Sequence, residues 1–412
     1  MWRWVLLGAL AGLTGCSERP VHPCAATPAA QTDAEPRACA PECGGTSPEC
    51  TPPCGRQLEL EWVVELDKAP CWRGPVIAAE LDGLVVVAGG AKSEPGFEQR
   101  WVATLSQTGC VEDVEIDGEA AFGAEGLVLG LAAHPDHGAY AVGKQELLLD
   151  NGTRYESHVW IRRYATDGTV EWTVEESSAT DELASGVAID VDGSAMVVGG
   201  TASALGQGWL RRYGTDGTRV DRWTLTEPQP THVLDVSVSS TGQRWISGWT
   251  EDDRLRPPAV LDSPSGFVAS LDSTDAIQWS APVTSMTSAR LVPSGTGPIV
   301  VGPRSSVARW NADGEEEWTT LLELRQIEPV RGHVMADGSV LVVGSRRAKP
   351  VLILLGPDGA LVGTSTVPGF ESGEVSDASV AEDGAVFVAG LHRLPDTSPT
   401  ECTNWVARAR LR

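Results

Sequence analysis

The sequence predicts an all-β fold made of repeated units, and three observations support this prediction. One short phrase occurs seven times: a turn glycine, a run of β-branched or other apolar residues and a closing glycine, as in residues 193–201 (GSAMVVGGT). The 412 residues include 45 glycines and 27 prolines, which favours many turns over long helices. Asp-Gly pairs recur between the apolar runs, and this dipeptide is typical of tight hairpin turns.

The repeats also predict the size of the unit. The other copies of the first phrase are residues 83–91, 138–143, 242–250, 297–302, 338–345 and 384–390. A second phrase alternates with the first and is clearest in residues 160–168 (WIRRYATDG) and 209–217 (WLRRYGTDG). Adding the short strands on either side gives four antiparallel strands in about fifty residues, which is the content of a β-propeller blade. Seven copies therefore predict a seven-bladed β-propeller.

The ends of the chain predict how the ring closes. The last unit stops one outer strand short, and residues 58–64 (LELEWVV) have the character of the missing strand. We expect this N-terminal strand to complete the last blade, so that Trp62 lies near Trp405 and no sheet is left incomplete.

Tryptophan recurs at regular places in the predicted strands. One set comprises Trp62, Trp172, Trp223, Trp279 and Trp318, and a second comprises Trp101, Trp160, Trp209 and Trp405. Such a series also suggests a platform for a carbohydrate or cofactor, but its regular spacing favours packing of each blade against the next.

The N-terminus predicts export and lipid attachment. Residues 1–4 (MWRW) and the apolar residues 5–13 form a signal peptide that is too short to be a membrane-spanning helix. The next residues, Leu13-Thr-Gly-Cys16, resemble the lipobox of bacterial lipoproteins, which implies cleavage after residue 15 and lipid on Cys16. Ser17 stands where aspartate would favour the inner membrane, so the resemblance implies a location in the cell envelope, at the outer membrane.

The chain is thus expected to comprise a signal peptide (1–15), a lipidated, disordered, Cys- and Pro-rich linker (16–56) and the propeller (57–412). Apart from Cys16, eight of the nine cysteines remain, an even number that suggests disulfides in an exported protein. The seam of the ring predicts a Cys71–Cys402 bond, and Cys54 with Cys110 is a second candidate. A four-thiolate zinc site at residues 39, 43, 50 and 54 is disfavoured by the spacing and the oxidising compartment.

Net charge excludes some partners. The chain has 31 Lys and Arg against 56 Asp and Glu, a formal charge of -25, which repels nucleic-acid phosphates and anionic lipid headgroups. We expect no nucleic-acid binding, membrane contact only through the N-terminal lipid, and a monomeric body.

No motif predicts catalysis, a cofactor or a metal. The sequence has no glycine-rich phosphate loop and no nucleophile elbow. His134 and His137 suggest a metal pair, but they lack a third ligand in the sequence and flank a turn. Residues 190–193 (DVDG) are similar to a calcium loop, but they recur as an ordinary turn between strands.

Loop length gives the one functional asymmetry. Asp-Gly turns are expected on one face of the ring, and longer connections on the other: 144–158, 250–266 and 391–404 within blades, and 175–185 and 366–373 between blades. These loops and their edges carry acidic residues that are candidates for binding a basic or calcium-bridged partner. They are Glu175, Glu176, Asp181, Glu182, Glu251, Asp252, Asp253, Glu371 and Glu374.

The pattern "Val-Ala-x-Asp-x-x-Gly-x-x-x-Val-x-Gly" followed by "Trp-x-x-Arg-Tyr-x-x-Asp-Gly" resembles bacterial β-propeller repeats of secreted proteins and lipoproteins. The match is best at residues 186–217 and extends more weakly over 58–412. It implies an envelope binding scaffold without catalysis, with a protein or glycan partner. Two alternatives stay open: a propeller enzyme, either a polysaccharide-degrading enzyme or a quinone-dependent dehydrogenase, and a partner in outer-membrane protein assembly. The last rests on the phrase Asp-Gly-x-x-x-Trp, which is similar to a turn in the propeller lipoprotein of the barrel-assembly complex.

Overall fold

The computed structural model describes most of the region from residue 58 to residue 411. The described ranges are residues 58–66, 73–77, 83–93, 97–117, 124–134, 136–149, 154–177, 182–201, 207–224, 232–250, 265–283, 290–292, 294, 297–302, 306–322, 327–367, 373–381, 383–393 and 402–411. The predicted signal peptide, Cys16 and the linker lie outside them. Nothing in the described ranges is a helix of the length and apolarity needed to cross a bilayer.

The described residues form 28 strands in seven four-stranded antiparallel sheets. The innermost strands are β2 (Arg73–Ile77), β6 (Ala124–His134), β10 (Glu182–Ile189), β14 (His232–Val238), β18 (Arg290–Val292), β22 (Ile327–Val334) and β26 (Glu374–Val380). The second strands are β3 (Leu84–Ser93), β7 (Gly138–Leu149), β11 (Ala195–Thr201), β15 (Arg244–Thr250), β19 (Ile299–Gly302), β23 (Val340–Arg346) and β27 (Ala385–Arg393).

The third strands are β4 (Phe97–Ser106), β8 (Arg154–Tyr164), β12 (Gly208–Tyr213), β16 (Ser265–Leu271), β20 (Ser306–Trp310), β24 (Lys349–Leu355) and β28 (Cys402–Leu411). The outermost strands are β5 (Val111–Asp117), β9 (Val170–Ser177), β13 (Arg219–Thr224), β17 (Ile277–Val283), β21 (Glu316–Leu321), β25 (Leu361–Thr366) and β1 (Leu58–Leu66). Blades 1 to 6 each use four consecutive strands, beginning with β2–β5, and blade 7 combines β26, β27 and β28 with β1. The predicted seven-bladed β-propeller is confirmed.

The seam of the ring lies in blade 7. β1 pairs antiparallel with β28, with Leu58 opposite Leu411 and Leu66 opposite Asn404. Trp62 lies opposite Arg408, and Glu65 lies opposite Trp405. The predicted closure by the N-terminal strand is therefore confirmed, and blade 7 is completed from both ends of the propeller.

Burial follows the position of a strand in its blade. The second strand β11 has buried residues on both faces, since it is covered by the blades on either side. The outermost strand β9 alternates between exposed and half-buried residues. This difference explains why the repeated phrase reads as a continuous apolar run, whereas the strand with tryptophan alternates with charged residues.

Tryptophans of the outermost strands form hydrogen bonds across four of the blade interfaces. The indole Nε1 of Trp62 donates a hydrogen bond to the Gln107 carbonyl at 2.8 Å, in the turn between the third and fourth strands of the next blade. Equivalent bonds join Trp172 to Thr215 (2.9 Å), Trp279 to Ala312 (2.7 Å) and Trp318 to Pro357 (3.0 Å). Each acceptor stands two residues before the glycine of its turn. We call this arrangement of indole and turn the tryptophan socket.

Two separate constraints, a positive φ and the close approach of the indole, require glycine in the turn of each socket. Gly314 has a φ of 84°, which favours glycine, and a Cβ built there would lie 2.7 Å from the ring of Trp279. Gly359 has a φ of 78°, and a Cβ built there would lie 2.6 Å from the ring of Trp318. The indole therefore lies directly on the turn, and no side chain fits between them.

Two expectations from the sequence are wrong in detail. Trp223 lies opposite Leu210, whereas Trp172 lies opposite Arg163, the counterpart of Arg212. Trp223 thus stands two residues beyond the socket position, which in blade 3 is occupied by Asp221. Tandem repeats conceal such a shift because the tryptophan remains in the same strand.

The predicted loop at residues 144–158 is also mostly strand. β7 and β8 pair as far as Leu149 opposite Arg154, so only residues 150–153 separate them. The extension, KQELLL in β7 and RYESH in β8, does not alternate between apolar and polar residues, and the sequence pattern therefore reads as a loop. Of the other predicted loops within blades, residues 251–264 and 394–401 lie outside the described ranges.

The sockets predict a difference between two glycine substitutions. Gly314→Ala and Gly384→Ala both place a side chain at positive φ, which costs roughly 1–2 kcal/mol. Because nothing lies within 4 Å of a Cβ on Gly384, its substitution adds backbone strain alone, whereas Gly314→Ala must also displace Trp279. In urea unfolding we expect Gly314→Ala to lower the free energy of unfolding by about 1–3 kcal/mol more than Gly384→Ala does. Equal losses would mean that the indole does not pack tightly on the turn.

Candidate functional site

The inner strands bring charged side chains together in the middle of the ring. A β-bulge interrupts the pairing of β14, β22 and β26, and the residues that follow the bulge are Asp235, Arg331 and Asp377. Arg290 of β18 lies opposite Val301 of β19 and occupies the corresponding place in blade 5. Blades 4 to 7 thus contribute Asp, Arg, Arg and Asp in turn, which we call the channel quartet.

Contacts within the channel quartet are close. Asp235 Oδ2 lies 2.7 Å from Arg331 Nη1 and accepts a hydrogen bond from the Leu291 amide at 2.9 Å. Asp377 Oδ1 lies 3.5 Å from Arg331 Nε, and Arg290 Nη1 donates to the Leu234 carbonyl at 3.2 Å. Two carboxylates and two guanidinium groups leave no net charge, so the quartet joins four blades rather than presenting a charged site.

The electrostatics follow from burial. Loss of solvent lowers the pKa of Arg331, but the carboxylates of Asp235 and Asp377 reverse this and hold it above its usual value. Burial raises the pKa of Asp377, and the Arg331 charge opposes this rise. The arginine therefore remains the fixed charge around which the two carboxylates are arranged.

In blades 2 and 3 the corresponding place is occupied by glycine. Gly130 and Gly186 follow the bulges of β6 and β10. A Cβ on Gly186 would lie 3.0 Å from the Cα of Asp235, so neighbouring inner strands approach too closely for a side chain. The cavity that remains between these glycines and the channel quartet is about 40 Å³, which is room for a few water molecules.

Two half-buried histidines lie next to the channel. His232 Nε2 is 2.7 Å from Ser185 Oγ, and His333 Nε2 is 2.5 Å from the Ala378 carbonyl. Burial lowers the pKa of each imidazole to about 4. Both are therefore neutral at pH 7, and the His333 Nε2 carries the proton, because a carbonyl only accepts.

Some of the predicted binding residues take part in a blade interface. Glu182 is buried and pairs with Arg211, whose guanidinium also lies 3.2 Å from Glu176 and 4.1 Å from the ring centre of Trp209. Arg219 contacts Glu176 at 2.9 Å. Glu176 thus joins blade 2 to blade 3, whereas the pair of Glu182 with Arg211 lies within blade 3. Sequence reasoning missed both roles because it could not show which acids face an arginine.

The remaining predicted residues divide into two groups. Glu175 and Glu374 are exposed, at the end of β9 and at the start of β26, on the face opposite the Asp-Gly turns. Asp181, Glu251, Asp252, Asp253 and Glu371 lie outside the described residues. Within blade 6 this face carries a tight turn instead of a loop, with Arg347 and Ala348 both at positive φ.

Two of the four cysteines predicted to form disulfides, Cys110 and Cys402, lie among the described residues. Cys402 begins β28 opposite Arg393, and Cys110 ends the turn between β4 and β5, where it is half-buried. Their predicted partners Cys71 and Cys54 lie outside the described residues, so both disulfides stay predictions. Among the described residues no group of three His, Cys, Asp or Glu side chains is placed to hold a metal, and His134 and His137 stack at 4.5 Å across a turn.

The histidines predict how stability depends on pH. Their pKa in the folded protein, about 4, lies below the usual 6.5, so the unfolded chain binds more protons between these values. The free energy of unfolding should therefore fall as the pH drops from 6.5 to 4, by a few kcal/mol, since one pKa unit corresponds to about 1.4 kcal/mol. The variant His232→Gln/His333→Gln should show a smaller fall in urea titrations.

Comparison with the variant isolates the imidazoles. The raised pKa values of Asp275 and Asp377 act in the opposite direction but are present in both proteins. Above pH 7.5 the difference between the two proteins should not change with pH. A variant that loses as much stability at pH 4 as the original protein would exclude the histidines as the cause.

Comparisons with known proteins show the fold and no family. No model of a protein family matches the chain, and no curated protein sequence matches it. BamB from Moraxella catarrhalis is 14% identical, covering 86% of this chain and 98% of its own, with a TM-score of 0.44. A chain of the mitotic checkpoint complex is 11% identical, covering 84% of this chain and 94% of its own, with a TM-score of 0.52. The second likeness concerns the fold alone, and the first is too distant to support an argument.

Proposed function

We propose that this protein is a lipid-anchored scaffold of the bacterial cell envelope that binds a protein or glycan partner through the long-loop face. The long-loop face is the side of the ring opposite the Asp-Gly turns, and it includes the ends of β9 and the start of β26. The observation that carries the proposal is the difference between the two faces of a regular ring. One face has short turns of near-identical form, and the other has the connections that vary in length.

The channel favours a scaffold over an enzyme. A propeller enzyme needs a group of acids, bases or metal ligands that reaches a substrate near the axis. The channel quartet does gather acids and arginines, but Arg331 pairs with both carboxylates and Arg290 donates to a backbone carbonyl. The cavity of about 40 Å³ is also far smaller than the roughly 300–1,000 Å³ of ligand pockets. A sugar ring or a quinone does not fit there.

The anchor part of the proposal rests on the residues before the propeller. The apolar segment and the Leu-Thr-Gly-Cys sequence imply lipid on Cys16, and the residues up to 56 then act as a tether for the ring. A role in outer-membrane protein assembly is one form that such a scaffold takes, and it stays a hypothesis that the Asp-Gly-x-x-x-Trp phrase alone supports.

The anchor predicts a change in fractionation. In a bacterial host, the full chain should incorporate radiolabelled palmitate and sediment with membranes. Cys16→Ala should lose the label and the membrane association, because no acyl chain can then be attached. Cys24→Ala, which removes a cysteine eight positions further on, serves as the control and should keep both. Label retained by Cys16→Ala would contradict lipid attachment at this residue.

The binding face predicts where a partner crosslinks. A photoreactive amino acid placed at Glu175 or Glu374, both exposed on the long-loop face, should give the same discrete adduct in intact cells. Asp358, equally exposed in the turn between β24 and β25, is the matched control on the opposite face and should give none. Adducts of equal yield at all three positions, or none at Glu175 and Glu374, would overturn the assignment of the face.

A further inference from the structure

The tryptophan socket is repeated around the ring but is not filled everywhere. The register of the outermost strands puts Trp172, Trp279, Trp318 and Trp62 at the socket position in blades 2, 4, 5 and 7. Blades 1, 3 and 6 have Asp113, Asp221 and Gly363 at this position. Three interfaces therefore lack the indole.

At two of these interfaces the receiving turn is different as well. The turn of blade 4, which follows blade 3, has Asp275 where the other turns have glycine, and its carboxylate lies 3.0 Å from Arg244. Blade 7, which follows blade 6, has no turn between its third and fourth strands, because β28 and β1 come from opposite ends of the propeller. In both cases the indole and the glycine turn that would receive it are absent together.

The interface between blades 1 and 2 differs from these two. The turn of blade 2 keeps the form of a filled socket, with Gly168 at a φ of 83° and Thr166 two residues before it. Among the described residues nothing donates a hydrogen bond to the Thr166 carbonyl. A Cβ on Gly168 would meet only the Thr104 methyl at 3.4 Å and Leu84 at 3.8 Å, so no ring lies on this turn.

A cleft of about 480 Å³ occupies the place of the missing indole. Leu84, Val102 and Tyr164 supply apolar lining, and the turn of Gly168 forms a wall. This volume exceeds that of a tryptophan side chain and lies within the roughly 300–1,000 Å³ of sites that hold small ligands.

The rim of the cleft is acidic. Glu112, Asp113 and Asp167 are exposed at its edge, while Glu115 lies 3.3 Å from Arg162. Hydrogen bonds from the Thr169 side chain and amide hold the pKa of Asp167 below its usual value, so this carboxylate is ionised at neutral pH. Three carboxylates around an apolar floor favour a cationic group next to an aromatic one.

We propose that the cleft between blades 1 and 2 binds a tryptophan of a partner protein, on a segment in which lysine or arginine flanks the tryptophan. The indole lies on the Gly168 turn and donates its Nε1 hydrogen to the Thr166 carbonyl, as the chain's own indoles do at the other sockets. The flanking cations pair with the acidic rim. This surface is separate from the long-loop face, because it includes a turn on the opposite side of the ring.

Filling the cleft from within the chain tests its geometry. Asp113→Trp places an indole at the socket position, and we expect the full chain to gain on the order of 2–4 °C in Tm. Gly363→Trp is the matched control: it introduces the same residue at the same position of blade 6, where no turn follows and nothing lies within 4 Å of a Cβ. The Gly363→Trp substitution should leave the Tm unchanged. An equal effect of both substitutions would show that blade 2 offers no receiving turn.

A short peptide tests the partner. A fluorescein-labelled Gly-Lys-Trp-Lys-Gly peptide should bind the purified full chain, measured by fluorescence anisotropy, at least tenfold more tightly than Gly-Lys-Ala-Lys-Gly or Gly-Glu-Trp-Glu-Gly. Binding should weaken at least tenfold in Asp113→Trp and be kept in Gly363→Trp. The exposed pair Glu112→Lys/Asp113→Lys should weaken it by a similar factor, and this variant introduces no bulky ring.

Several outcomes would overturn the proposal. These are the absence of peptide binding at millimolar protein, binding that ignores the tryptophan, and binding that survives Asp113→Trp. Sedimentation of the chain without peptide tests for a different occupant of the cleft. If the chain forms a dimer and Asp113→Trp dissociates it, the cleft binds a second copy of this chain. None of these measurements involves Cys16 or the crosslinking positions, so the outcome is independent of the proposed function.

Discussion

The pairing of β1 with β28 is the constraint on which the rest of the ring depends. A propeller of separate sheets has a weak point where its two ends meet, and here strand pairing over the full length of β1 closes it. Glu61 adds ion pairs with Arg408 and Arg410, each at 3.1 Å, and Trp62 continues the seam into blade 1. Closure also explains an exception elsewhere in the ring. Blade 7 combines the first and the last strands of the propeller, so no turn joins its third and fourth strands. An indole at Gly363 in blade 6 would therefore have no turn to pack on.

Several charges buried in the described part of this acidic protein are compensated by a group of opposite charge. Asp190 is almost fully buried and pairs with Arg212 and Arg244, and Arg244 continues to Asp275. The Asp275 carboxylate accounts for an aspartate at positive φ in a position that is otherwise glycine. Arg211 and the channel quartet follow the same rule in other parts of the ring. Breaking such a pair leaves one charge buried alone, at a cost of about 3–5 kcal/mol, so these groups fix how the blades meet rather than offering sites.

The fold could be predicted well from the sequence because the repeat shows where each unit begins and ends. Glycines at positive φ and apolar runs recur in phase, and the lone outer strand at residue 58 follows from counting strands. The site was less predictable. Asp235 and Arg331 stand 96 residues apart, and only the bulges of their strands turn both into the channel. Glu182 reads as a loop acid but is buried against Arg211, since sequence alone does not show what faces it. The shift of Trp223 by two residues has the same cause.

Departures from a repeat separate into those that the fold explains and those that it leaves open. The turn of blade 4 has Asp275 in place of glycine and blade 3 has no indole at the socket position, and the seam leaves blade 7 without a turn next to Gly363 of blade 6. At these two interfaces neither partner of the socket is present without the other. Blade 2 retains the complete receiving turn beside Asp113 and an acidic rim, at the expense of the packing that an indole would add. The turn itself needs no indole, since the turns of Gly193, Gly338 and Gly384 have the same backbone hydrogen bonds without one. What indicates a use beyond stability in blade 2 is the cleft and the acidic rim beside its turn. The socket form of the turn then limits what that use is, since the turn fits a flat ring with one hydrogen to donate, and the carboxylates beside it select for positive charge.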